Sequence, residues 1–388
     1  MNIVFLCTSL ESGRDGVGDY TVRLAEECAT RGHDCTVIAL NDPHVSRATD
    51  LTPDDVRLIR LPATQSWSER LASAGRHMRT LAPDWVSWQL VAYGFNPRGF
   101  LPAALLQAAP ELRGPRCHVM LHELWLGLER GSSLRARLIG WLQRRGVLCL
   151  LEQLDPDYVQ TSQATYQQAM QHEGFDAGVL DLFGNVPVAE NSPASISPLS
   201  RWLPADSGPK PLVAVTFGTL HPQWQPGATA QWLVATAQRL ARRPILIVIG
   251  RAGTHAPALL EPFQQQGVHV VVTGELEVSD VSQLLAAADF GIAVHPWALI
   301  GKSGAATAML EHGLPVLVPR DDWRLRRGSA LPLAAADPLL VRLAGLDEAQ
   351  TDRWLASRRA PASRLQSTVD AFLASLARAT TDAPSLRP

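Results

Sequence analysis

Residues 2–40 read NIVFLCTSLESGRDGVGDYTVRLAEECATRGHDCTVIAL, and this stretch decides the fold. Asn2–Cys7 is a run of strand length that is apolar from Ile3 on, as a central parallel strand covered on both faces requires. A glycine-rich loop, Gly13 to Gly18, follows it. Tyr20–Thr30 then sets Val22, Leu24 and Ala25 against Glu26 and Glu27, the pattern of an amphipathic helix. Gly32-His33 ends that helix with a glycine beyond its last turn. Cys35–Leu40 is a second apolar run. Strand, helix and strand in this order predict a βαβ unit, and with it a parallel sheet.

Outward from there the alternation continues. Val56–Leu61, Trp85–Trp88, His118–Leu121 and Tyr158–Thr161 read as strands, and Val179–Phe183 reads as the last strand of a first domain, residues 1–187. Residues 188–210, VAENSPASISPLSRWLPADSGPK, change to a Pro- and Ser-rich composition without apolar periodicity and read as a linker. A second alternation occupies 211–360: strand Leu212–Phe217, helix Ala228–Leu240, strands Ile245–Ile249 and Val268–Thr273, helix Val281–Ala287, strand Phe290–Val294, helix Ala305–Glu311 and strand Val316–Val318. Helical runs are expected from there to Ala379, with 361–379 a helix packing back toward the first domain and 380–388 a fraying tail.

Bulk properties agree with two α/β domains. A chain of 388 residues with 46% hydrophobic and 19% charged residues can bury two cores. A formal net charge of -2 argues against nucleic acid as the partner. The five cysteines are scattered without CxxC spacing, and Cys7 and Cys35, in strand-like runs, read as small buried residues in a reducing compartment. The N-terminus has no basic segment ahead of its short apolar run, so a soluble cytoplasmic protein is expected. The histidines lack metal-ligand spacing, and no metal or other cofactor is expected.

Three groups of residues carry a resemblance. The first is Gly16-Val17-Gly18-Asp19, Leu24-Ala25-Glu26-Glu27 and Gly32-His33-Asp34-Cys35-Thr36-Val37. The second is Gly274-Glu275-Leu276, Val281–Leu285, Ala287-Ala288-Asp289 and Gly313-Leu314-Pro315-Val316. The third is Leu121-His122-Glu123-Leu124 with Val159-Gln160-Thr161-Ser162. In order and spacing these resemble the family-4 (group 1) glycosyltransferases. The resemblance implies an α/β chain of GT-B architecture, in which two Rossmann-like domains face each other across a cleft. It also implies a nucleoside diphosphate sugar as donor, UDP- or GDP-linked, held by the second domain, and an acceptor offered by the first.

The chain departs from that family at one motif. Retaining members carry two glutamates separated by seven residues, and counting back from Gly313 places them at Ile300 and Ala308, neither of which is acidic. Ile300-Gly301-Lys302-Ser303-Gly304 stands there instead, and Glu311 follows one helical turn after Ala308, on roughly the same face. Lys302 could pair with a donor diphosphate, the Ser303 and Gly304 amides could open a helix toward it, and Glu311 could hold the ribose from a shifted register. A retaining and an inverting outcome both stay open.

The remaining candidates follow from where open α/β sheets place ligands, at the carboxyl ends of strands. They are the Gly16, Val17, Gly18 and Asp19 loop for the acceptor or a phosphate, Gly218-Thr219 with His221 nearby, Gly250-Arg251, and Glu275-Leu276 as a nucleobase slot. His122 is a candidate general base and Trp297 of His295-Pro296-Trp297 a stacking surface. Each competes with a plainer reading as a turn, a satisfied strand-end histidine or a core aromatic. The catalytic set is then His122, Lys302 and Arg251. Arg130 to Arg145, with five arginines around Leu134, Leu138, Ile139, Trp141 and Leu142, reads as an ordinary helix with a solvated face or as one lying on the anionic inner face of a membrane. The rivals to sugar transfer are a nucleotide-sugar epimerase of the same architecture and a catalytically silent partner that binds a protein or a glycan. A nicotinamide enzyme is disfavoured by the absence of GxGxxG.

Overall fold

The computed structural model describes residues 1–53, 55–188, 199–203, 208–328 and 337–381. The chain divides into two compact units. The first holds Met1–Leu182, residues 324–328 and the chain from Leu365 on; the second holds Phe183–Trp323 and residues 337–364. Residues 324–328 therefore leave the span read as the second domain. Backbone pairing explains this: Arg326 N donates to Leu128 O at 2.7 Å and Arg130 N to Arg324 O at 2.8 Å, so the segment forms a short ladder on a loop of the first unit. Most of the expected linker and the tail from 382 lie outside the described residues.

The first unit is built on strands β1 (Asn2–Cys7), β2 (Asp34–Asp42), β3 (Thr49–Leu51), β4 (Val56–Pro62), β5 (Trp85–Leu90), β6 (Cys117–Leu121), β7 (Tyr158–Thr161) and β8 (Ala177–Val179). Their order in the sheet is β3-β4-β2-β1-β5-β6-β7-β8, all neighbours parallel except β3 with β4. Its helices are α1 (Gly16–Thr30), α2 (Trp67–Leu81), α3 (Ala92–Phe95), α4 (Ala103–Ala108), α5 (Leu134–Leu154) and α6 (Ala164–Gln171). The second unit carries β9 (Pro211–Phe217), α7 (Gly227–Arg239), β10 (Arg243–Ile249), α8 (Ala256–Gln265), β11 (His269–Gly274), α9 (Val278–Ala287), β12 (Phe290–Ile292), α10 (Gly304–Glu311), β13 (Val316–Val318), β14 (Leu340–Arg342) and α11 (Glu348–Leu355). Its six parallel strands run β11-β10-β9-β12-β13-β14. The last helix, α12 (Leu365–Thr381), belongs to the first unit, where Phe372 packs against Phe5 and His118.

Burial explains the strands. Ile3 to Leu6 of β1 and Ile245 to Ile249 of β10 are at most 1% exposed, so each central strand is sealed on both faces. Two expectations are corrected. The last strand of the first sheet is Ala177–Val179 and not Val179–Phe183; Leu180 and Phe183 are buried core residues outside the strand, so burial alone mimicked a strand. Gly16–Gly18 is not a loop ahead of the helix but its first turn, because Asp15 caps the helix: its Oδ1 accepts from Val17 N at 2.9 Å and Gly18 N at 3.1 Å. The edge strands β3 and β14, three residues each, were not anticipated.

In both sheets the first strand lies between the second and the fourth of the parallel series. The chain therefore leaves the first strand in one direction and later returns on its other side. These switch points, β1 beside β5 and β9 beside β12, open crevices at the carboxyl ends of the strands.

Candidate active site

At the switch point of the first unit the polar groups bind one another. Thr8 Oγ1 donates to Asp15 Oδ2 at 3.1 Å, while Asp15 Oδ1 holds the α1 amides. Asp19 accepts from Gly13 N at 3.1 and 3.2 Å, and burial pushes its carboxyl above the usual range. Gly18 is required for packing, since a Cβ there would meet Ser9 O at 2.2 Å. The Gly16, Val17, Gly18 and Asp19 group thus forms a tight turn whose capping amides at Val17 and Gly18 are already bonded to a carboxylate.

His122 follows β6 and is 6% exposed. Its Nε2 lies 2.8 Å from Gln89 Oε1, and Tyr20 meets its ring edge-on at 5.1 Å. Gln89 Nε2 donates to Ser87 Oγ at 2.8 Å, Ser87 Oγ lies 2.8 Å from His118 Nδ1, and His118 Nε2 lies 3.1 Å from Gln160 Oε1. Gln160 Nε2 donates to Ser375 Oγ at 3.4 Å, and Ser375 donates to Ala371 O at 2.7 Å. One set of proton positions satisfies every link: His118 and His122 both carry hydrogen on Nε2, and Ser87 donates to His118 Nδ1. No hydrogen bond reaches His122 Nδ1 among the described residues, so the lone pair of a neutral imidazole stands there. Burial, with a smaller push from His118, lowers the His122 pKa to about 3, and burial lowers that of His118 to about 4. Burial thus favours the neutral form of both rings, in which His122 Nδ1 is a hydrogen-bond acceptor.

The second unit brings most of the remaining candidates to adjacent strand ends. Gly218-Thr219 ends β9, Gly250-Arg251 ends β10 and Gly274-Glu275 ends β11. Gly218 N donates to Ile249 O at 2.9 Å and Gly250 N to Gly274 O at 3.0 Å. These turns need a left-handed backbone, with φ of 86° at Gly218 and 85° at Gly250, which glycine adopts without strain. Thr219 Oγ1 donates to Arg251 O at 3.2 Å. Arg251 Nε pairs with Glu275 Oε1 at 2.9 Å on the surface, so the two candidates offset each other's charge. Leu276 packs against the core.

On the other side of this switch point lie two histidines and two cations. His221 follows β9, His295 follows β12, Lys302 ends a short helical turn at Trp297–Lys302, and Arg320 follows β13. Burial lowers the His295 pKa to about 4, reinforced by Lys302, His221 and Arg320 in that order. His221 is likewise lowered, by burial and then by Arg320 and Lys302. His295 and His221 thus both feel the positive charge of Lys302 and Arg320. Arg320 is nearly buried, its side chain 3% exposed. Its Nη2 donates to Asp322 Oδ2 at 2.8 Å and Gln223 Oε1 at 3.4 Å, and its Nε to Asp322 Oδ1 at 3.2 Å. Its Nη1 has no partner among the described residues. Sequence reasoning passed over Arg320, although Arg320-Asp321-Asp322 directly after an apolar strand marked a polar strand end.

Two assignments change. Glu311 is 2% exposed, and its carboxylate accepts from Gly184 N at 3.1 Å and Arg364 N at 2.8 Å. It fastens two chain segments of the second unit and does not stand open for a ribose. Ser303 is the N-cap of α10, accepting from Ala306 N at 3.2 Å, and its own amide donates to Ile300 O at 3.0 Å, which leaves Gly304 as the uncrowded residue of that turn. Trp297 packs against the core, with the Arg342 guanidinium 5.5 Å from its ring centroid. Among the described residues, no group of three or more His, Cys, Asp and Glu is placed to hold a metal ion.

Comparison with known proteins agrees with this architecture. Residues 15–149 match the model of the Glycosyl transferase 4-like domain. Anabaena HepE in complex with UDP and glucose aligns over 98% of this chain and 99% of its own, with a TM-score of 0.58 at 16% identity. WaaG, a glycosyltransferase involved in lipopolysaccharide biosynthesis, aligns over 97% and 93%, with a TM-score of 0.54 at 16% identity. The sucrose-phosphate synthase of Thermosynechococcus elongatus aligns over 99% and 100%, with a TM-score of 0.58 at 16% identity. No curated protein sequence matches the chain significantly. The chain has the GT-B pair of parallel-sheet α/β domains, and its likeness to the family-4 glycosyltransferases holds in the first domain and in the fold.

Proposed function

We propose that this protein transfers a sugar from a nucleoside diphosphate sugar, and that the diphosphate sits at the switch point of the second unit against Arg320, His221, His295 and Lys302. The observation that carries the reading is the buried Arg320 guanidinium with Nη1 unpartnered. A buried donor left unused is costly, and an anionic oxygen would supply the acceptor that Nη1 lacks, beside the Asp322 carboxylate that already pairs with Nη2 and Nε. Gly218-Thr219, Gly250-Arg251 and Glu275-Leu276 lie at the neighbouring strand ends and suit the nucleoside. UDP is the first nucleotide to try, since HepE was solved with UDP and with UDP-glucose.

In this reading Lys302 and Arg320, with hydrogen bonds from His221 and His295, offset the charge that develops on the leaving diphosphate. Such preorganised electrostatics act without a metal and usually supply the largest part of catalysis. His122 offers Nδ1 to an acceptor hydroxyl, and Gln89, Ser87 and His118 are positioning residues that hold its tautomer. The chemistry differs from that of the retaining family-4 enzymes, because Ala308 is buried at the place of their second glutamate and Glu311 is engaged by backbone amides. That observation also favours a second reading, a silent binding protein of the same fold.

Calorimetric titration with UDP, GDP, ADP, UMP and uridine tests the site. A diphosphate should bind at least tenfold more tightly than the bare nucleoside, in line with about 1.5–3 kcal/mol for a charge-assisted hydrogen bond. Equal affinity for uridine and UDP would remove the proposal. Incubation with UDP-sugars then separates the readings: transfer or donor hydrolysis supports the enzyme, isomerised donor without acceptor supports an epimerase, and UDP binding without turnover supports the silent partner.

A further inference from the structure

Helix α5 is apolar on two opposite faces. One face, with Gly140, Gln143, Val147, Leu150, Leu151 and Leu154, is buried in the first unit. Gly140 is the close contact there: a Cβ would lie 1.8 Å from Leu126 O of the loop laid across the helix. The other face shows Leu134 81%, Leu138 63%, Trp141 50% and Leu142 46% exposed. At 100° per residue these four span about 100° of the helix surface, one continuous stripe. Leu126 of the overlying loop, 43% exposed, adds to it. The other large exposed apolar side chains among the described residues, Met1, Leu51, Val179, Val272 and Val278, are scattered. Scattered apolar residues need no explanation, whereas a contiguous stripe marks a contact surface.

The charges around the stripe are of one sign. Residues 131–151 contain four arginines and no acidic residue. Arg135 lies on one border of the stripe and Arg145 at its far end, and neither has an ion pair among the described residues. Arg137 lies on the other border, beside a cavity of about 240 Å³ also lined by Trp125, Trp141, Arg326 and Arg327. Arg326 and Arg327 are exposed and are held there by the ladder between 324–326 and 128–130. Arg144 is paired with Glu173 and contributes little free charge.

An exposed apolar stripe bordered by unpaired arginines fits a surface whose interior is apolar and whose boundary is anionic. We infer that the α5 face docks the protein on an anionic lipid bilayer, with Leu134, Leu138, Trp141 and Leu142 at the acyl boundary and Arg135, Arg137, Arg145, Arg326 and Arg327 among the lipid phosphates. No helix of the described residues is long and apolar enough to cross a membrane, so the contact is peripheral. The inference does not rest on the sugar-transfer reading, and its test does not use activity.

Vesicle flotation decides it. The full chain should float with vesicles of phosphatidylcholine containing about 30% phosphatidylglycerol, float far less with pure phosphatidylcholine, and be released by salt, as attraction to anionic lipid requires. Arg135→Ala and Arg145→Ala should each weaken binding about fivefold. Leu138→Glu should abolish it while leaving the melting temperature within a few degrees of the parent, since the side chain already faces solvent. No flotation with anionic vesicles, equal flotation with neutral ones, or unchanged binding by L138E would each overturn the inference. A concentration-dependent dimer that L138E abolishes, without flotation, would assign the face to a second copy of the chain and overturn it as well.

Discussion

The two switch points share a strand order and differ in their electrostatics. In the first unit the helix that follows the first strand is capped from within, by Asp15 on the amides of Val17 and Gly18, and the nearby histidines are locked in a neutral chain of hydrogen bonds. In the second unit the strand ends gather His221, His295, Lys302 and Arg320, and the buried guanidinium keeps an unused donor. Topology places a crevice in both. Side chains then set the character of each: in the first the Asp15 carboxylate takes the helix amides, and in the second the Arg320 guanidinium, paired with Asp322 through Nη2 and Nε, keeps Nη1 without a partner among the described residues. In the proposed reading the first takes a neutral ligand such as an acceptor hydroxyl and the second an anion.

The largest expected effect tests whether Glu311, the one buried acid of the second unit among the described residues, is structural. Glu311→Ala leaves the amides of Gly184 and Arg364 without acceptors, at a cost of about 2–4 kcal/mol. The melting temperature should fall by roughly 5–15 °C. UDP affinity of the folded fraction should stay the same. A fall in affinity at unchanged melting temperature would return Glu311 to the donor site.

Arg320→Ala should act in the opposite sense. It removes the donor that an anion would complete, so UDP should bind roughly 10–100-fold more weakly. Stability should change less than in the Glu311 variant, because the deleted guanidinium was incompletely paired. Arg320→Lys should recover part of the affinity, since it restores the charge without the planar fork. Unchanged UDP affinity in Arg320→Ala would erase the contrast between the two crevices.

Proton linkage sharpens the same contrast. Burial and neighbouring cations hold His295 and His221 below the ordinary histidine pKa, His295 at about 4. A bound diphosphate favours their charged forms and raises both values, so binding takes up protons. UDP affinity should therefore rise several-fold as pH falls from 7 toward 5, measurable by titration in buffers of different ionisation enthalpy. His118 and His122 respond only through stability. Their folded values, about 4 and about 3, lie below the unfolded value of about 6.5, so the unfolded chain binds more protons between those limits. Their stabilisation is complete above pH 6.5 and is lost as pH falls toward 3. A UDP affinity that falls with acidification while the fold persists would show that the anion sits elsewhere.

Much of this was legible in the sequence, for physical reasons that differ between residues. β1 and β10 were readable because a strand covered on both faces must be apolar throughout, and both runs are. β14, three residues at a sheet edge, carries no such pattern. Glu311 was placed on the helix face of Ala308, and both do share that face; the helix turns it inward, where both are buried. Arg320 was missed because its significance is its burial, which is a tertiary property. The glycines of Gly16–Gly18 suggest a loop for the acceptor or a phosphate, while the residue that settles the turn is the aspartate before them.

That aspartate gives the smallest prediction. Asp15 satisfies two amides at the start of α1 and accepts from Thr8 Oγ1, so Asp15→Ala should cost about 1 kcal/mol, as loss of an N-cap does, and lower the melting temperature by a few degrees. It also removes the internal anion and frees the helix N-terminus. If the first crevice accepts no anion only because Asp15 occupies its amides, the variant should gain weak inorganic phosphate binding at the first unit, detectable as shifts of the Val17 and Gly18 amide resonances that the parent lacks. Phosphate shifts at those amides in the parent protein would mean that the carboxylate yields to a ligand, and the two crevices would then be electrostatically alike.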